Sequence, residues 1–275
     1  MRKVIWLSYL IVTDIDHTLL NDDGELVDVN VEALDLARAQ GAVVVLSTAR
    51  SFTGASIIHK ELKLDTPIIV SNGTLIVTPK GKEIHAETIS KNKTIELLNL
   101  FNESQKYWSF RTATHAYIHP NFDVTHGPYV LEKNYTMLDY GAMLEHIHNN
   151  GHCPVITASL FGEGLTEFYN SRDWSKLNLR PDFYPPSHFY NYEAMSLISS
   201  NASKGNAAKW LQNHLGLNDS PVIALGDSPA DATMFSLGIG VAPQNAKPEV
   251  KNKADWVAPH CNNGAVAAAI NKFVL

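Results

Sequence analysis

The chain predicts an α/β fold in which a parallel sheet covered by helices is interrupted by an inserted α+β domain. Three observations predict it. Short apolar runs alternate with helical stretches near both ends of the chain. Four of those runs stop on polar residues: Asp14-Ile15-Asp16, Thr48, Asn72 and Asp227. The middle has another texture, rich in aromatic and histidine residues. The boundaries predicted from this contrast are a first core segment over 1–79, an insertion over 80–199 and a second core segment over 200–275.

The elements follow in order. Val4–Val12 reads VIWLSYLIV and leads into Thr13-Asp14-Ile15-Asp16. A continuous run of β-branched and aromatic residues fits a strand buried on both faces. It is too short to span a bilayer as a helix. Acidic residues stand where a signal peptide would carry small cleavage-site residues. A polar loop at Asn21-Asp22-Asp23-Gly24 precedes a helix from about Val29 to Gln40, closed by Gly41. Ala42–Leu46 is a second strand, ending at Ser47-Thr48-Ala49-Arg50, and a helical stretch then runs to about Leu64. Pro67–Val70 is a third strand, ending at Ser71-Asn72-Gly73. Strand, helix, strand, helix, strand implies right-handed crossovers and an open layered sheet.

The insertion carries Tyr107, Trp108, Phe110, His115, Tyr117 and His119, with helices expected at Thr94–Ser104 and Leu138–Asn149. Pro181, Pro185 and Pro186 break it before Phe189. The core texture then returns. Lys204–Leu215 is an amphipathic helix with Ser203 as its N-cap. Pro221–Leu225 is a buried strand, and Ala232–Leu237 is read as helical. Ile239–Ala242 and Asp255–Ala258 are short strands, and Gly264–Phe273 is a closing helix.

Composition narrows the function. The 275 residues are 45% hydrophobic and 18% charged, which excludes disordered and fibrous classes. Lys plus Arg number 22 and Asp plus Glu 28, a net charge of −6, so the chain lacks the basic excess of a nucleic-acid binder. No membrane partner is expected. Cys153 and Cys261 are far apart and in no CxxC, which argues against a disulfide framework or a cysteine-based zinc site and for a reduced, cytoplasmic setting. His115, His119, His126, His146 and His148 have no recognised ligand spacing.

Open α/β sheets bind ligands at the carboxyl ends of their strands. Gathering those ends brings together Asp14, Asp16, Thr48, Asn72 and Asp227, with Lys204 at a helix start. Clustered carboxylates repel one another unless a proton or cation is present. Their hard oxygens suit Mg²⁺, which also binds substrate phosphate. A lysine and a hydroxyl suit the remaining phosphate oxygens. Two carboxylates two apart can divide the labour between nucleophile and proton donor. Phosphoryl transfer through an aspartyl-phosphate uses the whole set. Taken singly, Thr48 and Asp227 fit helix caps, Lys204 an exposed lysine, Arg50 a loop tie and Asn72-Gly73 a turn. Their order along the chain lifts them above those readings.

These motifs resemble the haloacid dehalogenase (HAD) superfamily of phosphatases, in particular the Cof-type members of subclass IIB with a large cap after the third strand. The resemblance rests on Thr13-Asp14-Ile-Asp16-His-Thr18-Leu-Leu20, Ser47-Thr48-Ala-Arg50, Ser71-Asn72-Gly73, Ser203-Lys204-Gly205, Gly226-Asp227-Ser228-Pro-Ala-Asp231 and Val241-Ala-Pro-Gln-Asn245-Ala246. It implies a Rossmann-like core with an inserted cap. It also implies Asp14 as nucleophile, Asp16 as general acid and then base, and Thr48 and Lys204 holding the phosphoryl group. Mg²⁺ would be held by Asp14, the backbone carbonyl of Asp16 and Asp227, with Asp231 orienting that shell or the lysine. Arg50, Asn72 and Thr18 are candidate substrate contacts. Two positions depart from the family pattern: His17 stands where Gly is usual, and Ala230 where Asn is usual.

The expected activity is Mg²⁺-dependent hydrolysis of small phosphorylated metabolites, sugar phosphates foremost. The alternatives are a sucrose-phosphate or mannosyl-phosphoglycerate type phosphatase, a phosphomutase, and a non-catalytic phosphometabolite sensor. The expected partners are the metabolite and, in a homodimer, a second copy of the chain. Tyr107–Tyr117 and Phe183–Tyr192 are the candidate specificity segments. A nucleotide-binding G-x-x-x-x-G-K-[ST] loop and a G-x-G-x-x-G loop are both missing from the sequence.

Overall fold

A computed structural model of the chain describes residues 8–125, 134–149, 153–186 and 192–275. The chain divides into two compact units, Met1–His85 with Ser203–Leu275, and Ala86–Ala202.

In the first unit, β1 (Leu10–Thr13) and β2 (Val43–Leu46) flank helix α1 (Asp28–Ala39), and α2 (Phe52–Glu61) leads to β3 (Ile68–Val70). A hairpin of β4 (Leu75–Val77) and β5 (Glu83–Ala86) completes this segment. Its turn is closed by Thr78 N–H donating to Lys82 O at 2.8 Å. The hairpin keeps residues 80–85 with the first unit, beyond the 79/80 boundary read from the sequence. The predicted first strand is observed as Leu10–Thr13, and residues 1–7 of that stretch lie outside the described residues.

The second unit holds α3 (Lys91–Glu103), β6 (Tyr107–Arg111), β7 (Ala116–Ile118), β8 (Tyr135–Met137), α4 (Tyr140–Asn149), β9 (Thr157–Gly162), α5 (Leu165–Asn170), β10 (Leu179–Tyr184) and β11 (Glu193–Ser199). The first unit resumes with α6 (Lys204–His214), β12 (Val222–Leu225), β13 (Ile239–Pro243), α7 (Pro248–Lys251), β14 (Trp256–Ala258) and α8 (Ala265–Phe273).

The main sheet runs β14-β13-β12-β1-β2, with parallel pairing throughout. Leu10 to Thr13 are all buried, as are Val222 to Leu225, which is why these strands read as unbroken apolar runs. Thr13 pairs with Leu225 on one side and Leu46 on the other, so three strand ends lie level. The chain leaves β1 toward β2 and returns on its opposite side as β12. That reversal makes the carboxyl end of β1 a topological switch point, where an open α/β sheet has its binding crevice.

The third predicted strand departs from expectation. β3 forms an antiparallel ladder with β4 and touches the main sheet through a single bridge, Ser47 with Ile69. The helix expected at Ala232–Leu237 is two 3₁₀ turns, 231–233 and 235–237. Local side-chain bonds compete with the α-helical ladder there: Thr233 Oγ1 donates to Ala230 O at 2.6 Å, and Asp231 Oδ2 accepts from Ser228 N at 2.9 Å.

In the second unit a six-stranded sheet, β10-β11-β9-β6-β7-β8, carries helices α3 and α4. Trp108 and Phe110, two apart on β6, fall on one face and pack with Phe101, Met143 and Ile147. The aromatic richness of this unit is thus largely core. Of the sequence-read specificity segments, residues 187–191 lie outside the described residues, and so does His126. Among the described residues, no helix is long and apolar enough to cross a membrane.

Candidate active site

The crevice at the end of β1 is built by backbone register first. Asp14 N–H donates to Leu225 O at 2.9 Å, carrying the β1–β12 ladder one residue past the strand. Asp14 therefore stands beside Gly226-Asp227. On the other side, Thr48 N–H donates to Ile69 O at 2.9 Å, and Asn72 N–H to Thr48 O at 3.1 Å. Thr48 is buried, and its Oγ1 accepts from Arg50 N–H at 3.1 Å.

Lys204 reaches the crevice because of a close backbone approach. Gly73 adopts φ +84°, and a Cβ there would lie 2.2 Å from Ser203 O and 2.8 Å from Lys204 N. Only glycine lets the start of α6 sit this close. Ser203 caps that helix, its side chain accepting from Asn206 N–H at 3.0 Å.

The Lys204 ammonium lies between two carboxylates, donating to Asp14 Oδ1 at 2.6 Å and Asp231 Oδ1 at 2.5 Å. All three side chains are buried. Asp231 Oδ2 accepts from Ser228 N–H at 2.9 Å and Ser228 Oγ at 2.6 Å, so both its oxygens are committed. Gly226 makes room for it, since a Cβ there would lie 2.1 Å from Asp231 Cβ. Ser228 was not singled out as functional from the sequence. Its bond to a residue three positions on is a local turn signal that sequence alone leaves ambiguous.

The electrostatics follow from burial. Removal from water drives the Asp14 carboxyl well above its ordinary range, and the Asp231 charge adds to the effect. Burial, helped by Asp231, pushes Asp227 up to about 6. Burial opposes the charged form of Lys204, but the fields of Asp14 and Asp231 overcome it and raise the lysine above its usual value.

Asp14, Asp227 and Asp231 offer carboxylate oxygens within 4.8 Å of one another. An all-oxygen set of three carboxylates around one ammonium suits a hard divalent cation such as Mg²⁺. Asp231 is the least available of the three, because its oxygens already serve Lys204 and Ser228. Asp14 and Asp227 are the better side-chain donors.

The remaining predicted residues divide. Asp16, half-exposed, pairs with Arg50 rather than pointing into the Lys204 cluster: Arg50 Nε donates to Asp16 Oδ2 at 2.9 Å and Nη2 to Oδ1 at 2.5 Å. Arg50, read from sequence as a substrate contact, is here committed to a carboxylate of the chain itself. Thr18 is fully buried, and its Oγ1 has no partner among the described residues. Asn72 is buried in a left-handed conformation, φ 56°, at the turn after β3. His17 also has positive φ, 54°, a region that histidine tolerates better than most side chains. Its carbonyl accepts from Asn245 Nδ2 at 2.7 Å, which ties the loop after Asp16 to the end of β13.

A parallel sheet with its switch point at β1, and carboxylates and a lysine gathered there, define a Rossmann-like α/β core with an acidic crevice at its carboxyl edge. Residues 11–270 match the family model of haloacid dehalogenase-like hydrolases, and the chain belongs to that family. Phosphatase YwpJ of Bacillus subtilis is 29% identical over 90% of this chain and 93% of its own. The B. subtilis 5-amino-6-(5-phospho-D-ribitylamino)uracil phosphatase YcsE is 26% identical over 97% of this chain and 96% of its own. Among solved structures, a sugar phosphatase of HAD subclass IIB superposes with a TM-score of 0.74 at 19% identity, covering 97% of this chain and 99% of the other.

Proposed function

We propose that the chain is a Mg²⁺-dependent phosphatase of small phosphorylated metabolites, sugar phosphates foremost, working through an aspartyl-phosphate. The observation that carries the reading is the buried trio of Asp14, Lys204 and Asp231 at the switch point of the sheet. Two relatives named as phosphatases over nearly their whole lengths support it.

In this reading Asp14 is the nucleophile. Its Oδ1 is held by Lys204, while Oδ2 accepts no hydrogen bond from the described residues and is the oxygen that attacks phosphorus. The P–O ester bond breaks, and the leaving oxygen takes the proton of Asp16. Asp16, now ionised, takes a proton from water, and that water oxygen attacks phosphorus. The P–O bond to Asp14 then breaks and releases inorganic phosphate. Lys204 balances the charge gathering on the phosphoryl oxygens. Thr48 and Thr18 are proposed hydroxyl donors to the same group. Asp14, Asp227 and the backbone carbonyl of Asp16 would hold Mg²⁺, which would supply charge neutralisation for an approaching phosphate dianion. Asp231 keeps Lys204 charged and in place.

Half-exposed Asp16 and buried Asp14 suit these different tasks, since the acid–base group must meet first the leaving oxygen and then the incoming water. The test is hydrolysis of p-nitrophenyl phosphate and of a panel of sugar phosphates with Mg²⁺. Wild type is expected to release phosphate, and Asp14→Asn to lose turnover by at least about 10³-fold. Equal rates for the two proteins would overturn the nucleophile. Isomerised phosphosugar without free phosphate would favour a mutase, and a flat panel would favour a sensor.

A further inference from the structure

We propose that Asp22, His260 and Cys261 form a second metal site, one selective for a thiophilic transition-metal cation such as Zn²⁺. Their oxygen, nitrogen and sulfur atoms lie within 4.8 Å of one another. Cys261 Sγ is 3.5 Å from Asp22 Oδ1 and 3.5 Å from His260 Nδ1. A tetrahedron built on ordinary zinc–sulfur, zinc–nitrogen and zinc–oxygen bonds has edges of about 3.5 Å. The sulfur therefore already stands at ligand-to-ligand distance from both partners. The other ring nitrogen, His260 Nε2, lies 3.9 Å from Asp22 Oδ2.

The donors are pre-arranged by asparagines. Asn262 Oδ1 accepts from Asp22 N–H at 2.9 Å, and its Nδ2 donates to Asp22 Oδ2 at 3.0 Å. His260 Nδ1 accepts from Asn262 N–H at 3.3 Å, so a metal bound at Nδ1 takes the place of that hydrogen bond. Asn245 Oδ1 accepts from Cys261 N–H at 2.9 Å while its Nδ2 holds His17 O. His17 Nδ1 lies 3.3 Å from Asp22 Oδ1, as a fourth donor or as an outer partner fixing the carboxylate. Residues some 240 positions apart are thus locked into one set.

The chemistry separates this site from the carboxylate cluster. A thiol and an imidazole favour zinc and its neighbours, whereas three carboxylates favour magnesium. Cys261 is a buried free thiol, and Asp22 and His260 are partly exposed, which leaves an entry route. Nothing here depends on the phosphatase reading, because the readout is metal binding rather than turnover.

The test is titration of the reduced protein with Co²⁺, read by absorption. One equivalent is expected to give a thiolate-to-cobalt charge-transfer band and the visible bands of tetrahedral cobalt. Zn²⁺ should bleach both, and excess Mg²⁺ should not. Cys261→Ser should abolish the charge-transfer band, and Cys153→Ser should keep it. Because Cys261 is buried, Asp22→Asn and His260→Gln serve as further variants, each expected to weaken Co²⁺ binding at least about tenfold. No charge-transfer band in wild type, a band persisting in Cys261→Ser, or full-strength binding in both Asp22→Asn and His260→Gln would overturn the site.

Discussion

Arg50 grips both carboxylate oxygens of Asp16, Nε to Oδ2 at 2.9 Å and Nη2 to Oδ1 at 2.5 Å. A carboxylate held by both oxygens has a fixed direction, but it must release one of them to carry a proton. If Asp16 is the acid–base group, Arg50 is its positioning residue. Esters with poor leaving groups depend on proton donation more than aryl esters do. We expect Asp16→Asn to slow a sugar phosphate by about 10²-fold or more. Arg50→Gln should lower the sugar-phosphate to p-nitrophenyl phosphate kcat ratio by about tenfold, read in parallel steady-state assays. The pair is partly exposed, so Arg50→Gln should alter stability by less than about 1 kcal/mol.

Lys204 is the counter-ion of two buried carboxylates. Removing it while keeping them leaves buried charge uncompensated. Lys204→Met should cost about 3–5 kcal/mol of unfolding free energy at neutral pH, measured by urea denaturation. Asp231→Asn keeps the shape and removes one charge, so its cost should be smaller. It should still cut kcat, because Lys204 is then held from one side only.

Asp227 gives the pH dependence. Its folded pKa, about 6, lies above the ordinary carboxylate value of 3.8. The folded state therefore binds a proton more readily than the unfolded state. For this group alone, stability is greatest below the unfolded value and falls as pH rises through 6. The ionised carboxylate then carries a penalty of up to about 3 kcal/mol, which a divalent cation offsets. The rise in Tm on adding Mg²⁺ should be larger at pH 7.5 than at pH 5. Asp227→Asn should raise the Tm of the metal-free protein at pH 7.5 and shrink the response to Mg²⁺. A response independent of pH and unchanged in Asp227→Asn would remove Asp227 from the metal site.

Gly73 is a backbone prediction. Any side chain there meets Ser203 O at 2.2 Å in a conformation that already disfavours L residues. Gly73→Ala should destabilise the protein by roughly 2–4 kcal/mol and lower kcat by displacing Lys204. Gly24 offers the comparison: it has φ +80° but nothing within 4 Å of a built Cβ. Gly24→Ala should cost only the backbone strain, about 1 kcal/mol, with kcat unchanged.

The sequence alone determined the buried strands of the sheet and the polar residues that stand at their carboxyl ends. Runs such as Leu10–Thr13 and Val222–Leu225 are apolar because they are buried on both faces, and the polar residues that end them mark the carboxyl edge. That pattern is local and survives in one dimension. The sheet order was not local. Only the tertiary structure set β1 between β2 and β12, moved β3 into its own ladder, and brought Lys204 across 190 positions to Asp14. It also decided Arg50, whose partner is Asp16 of its own chain, and it joined Cys261 to Asp22. Pairings of that kind depend on which loops the sheet register lays side by side, and spacing along a chain carries no record of distances closed only by folding.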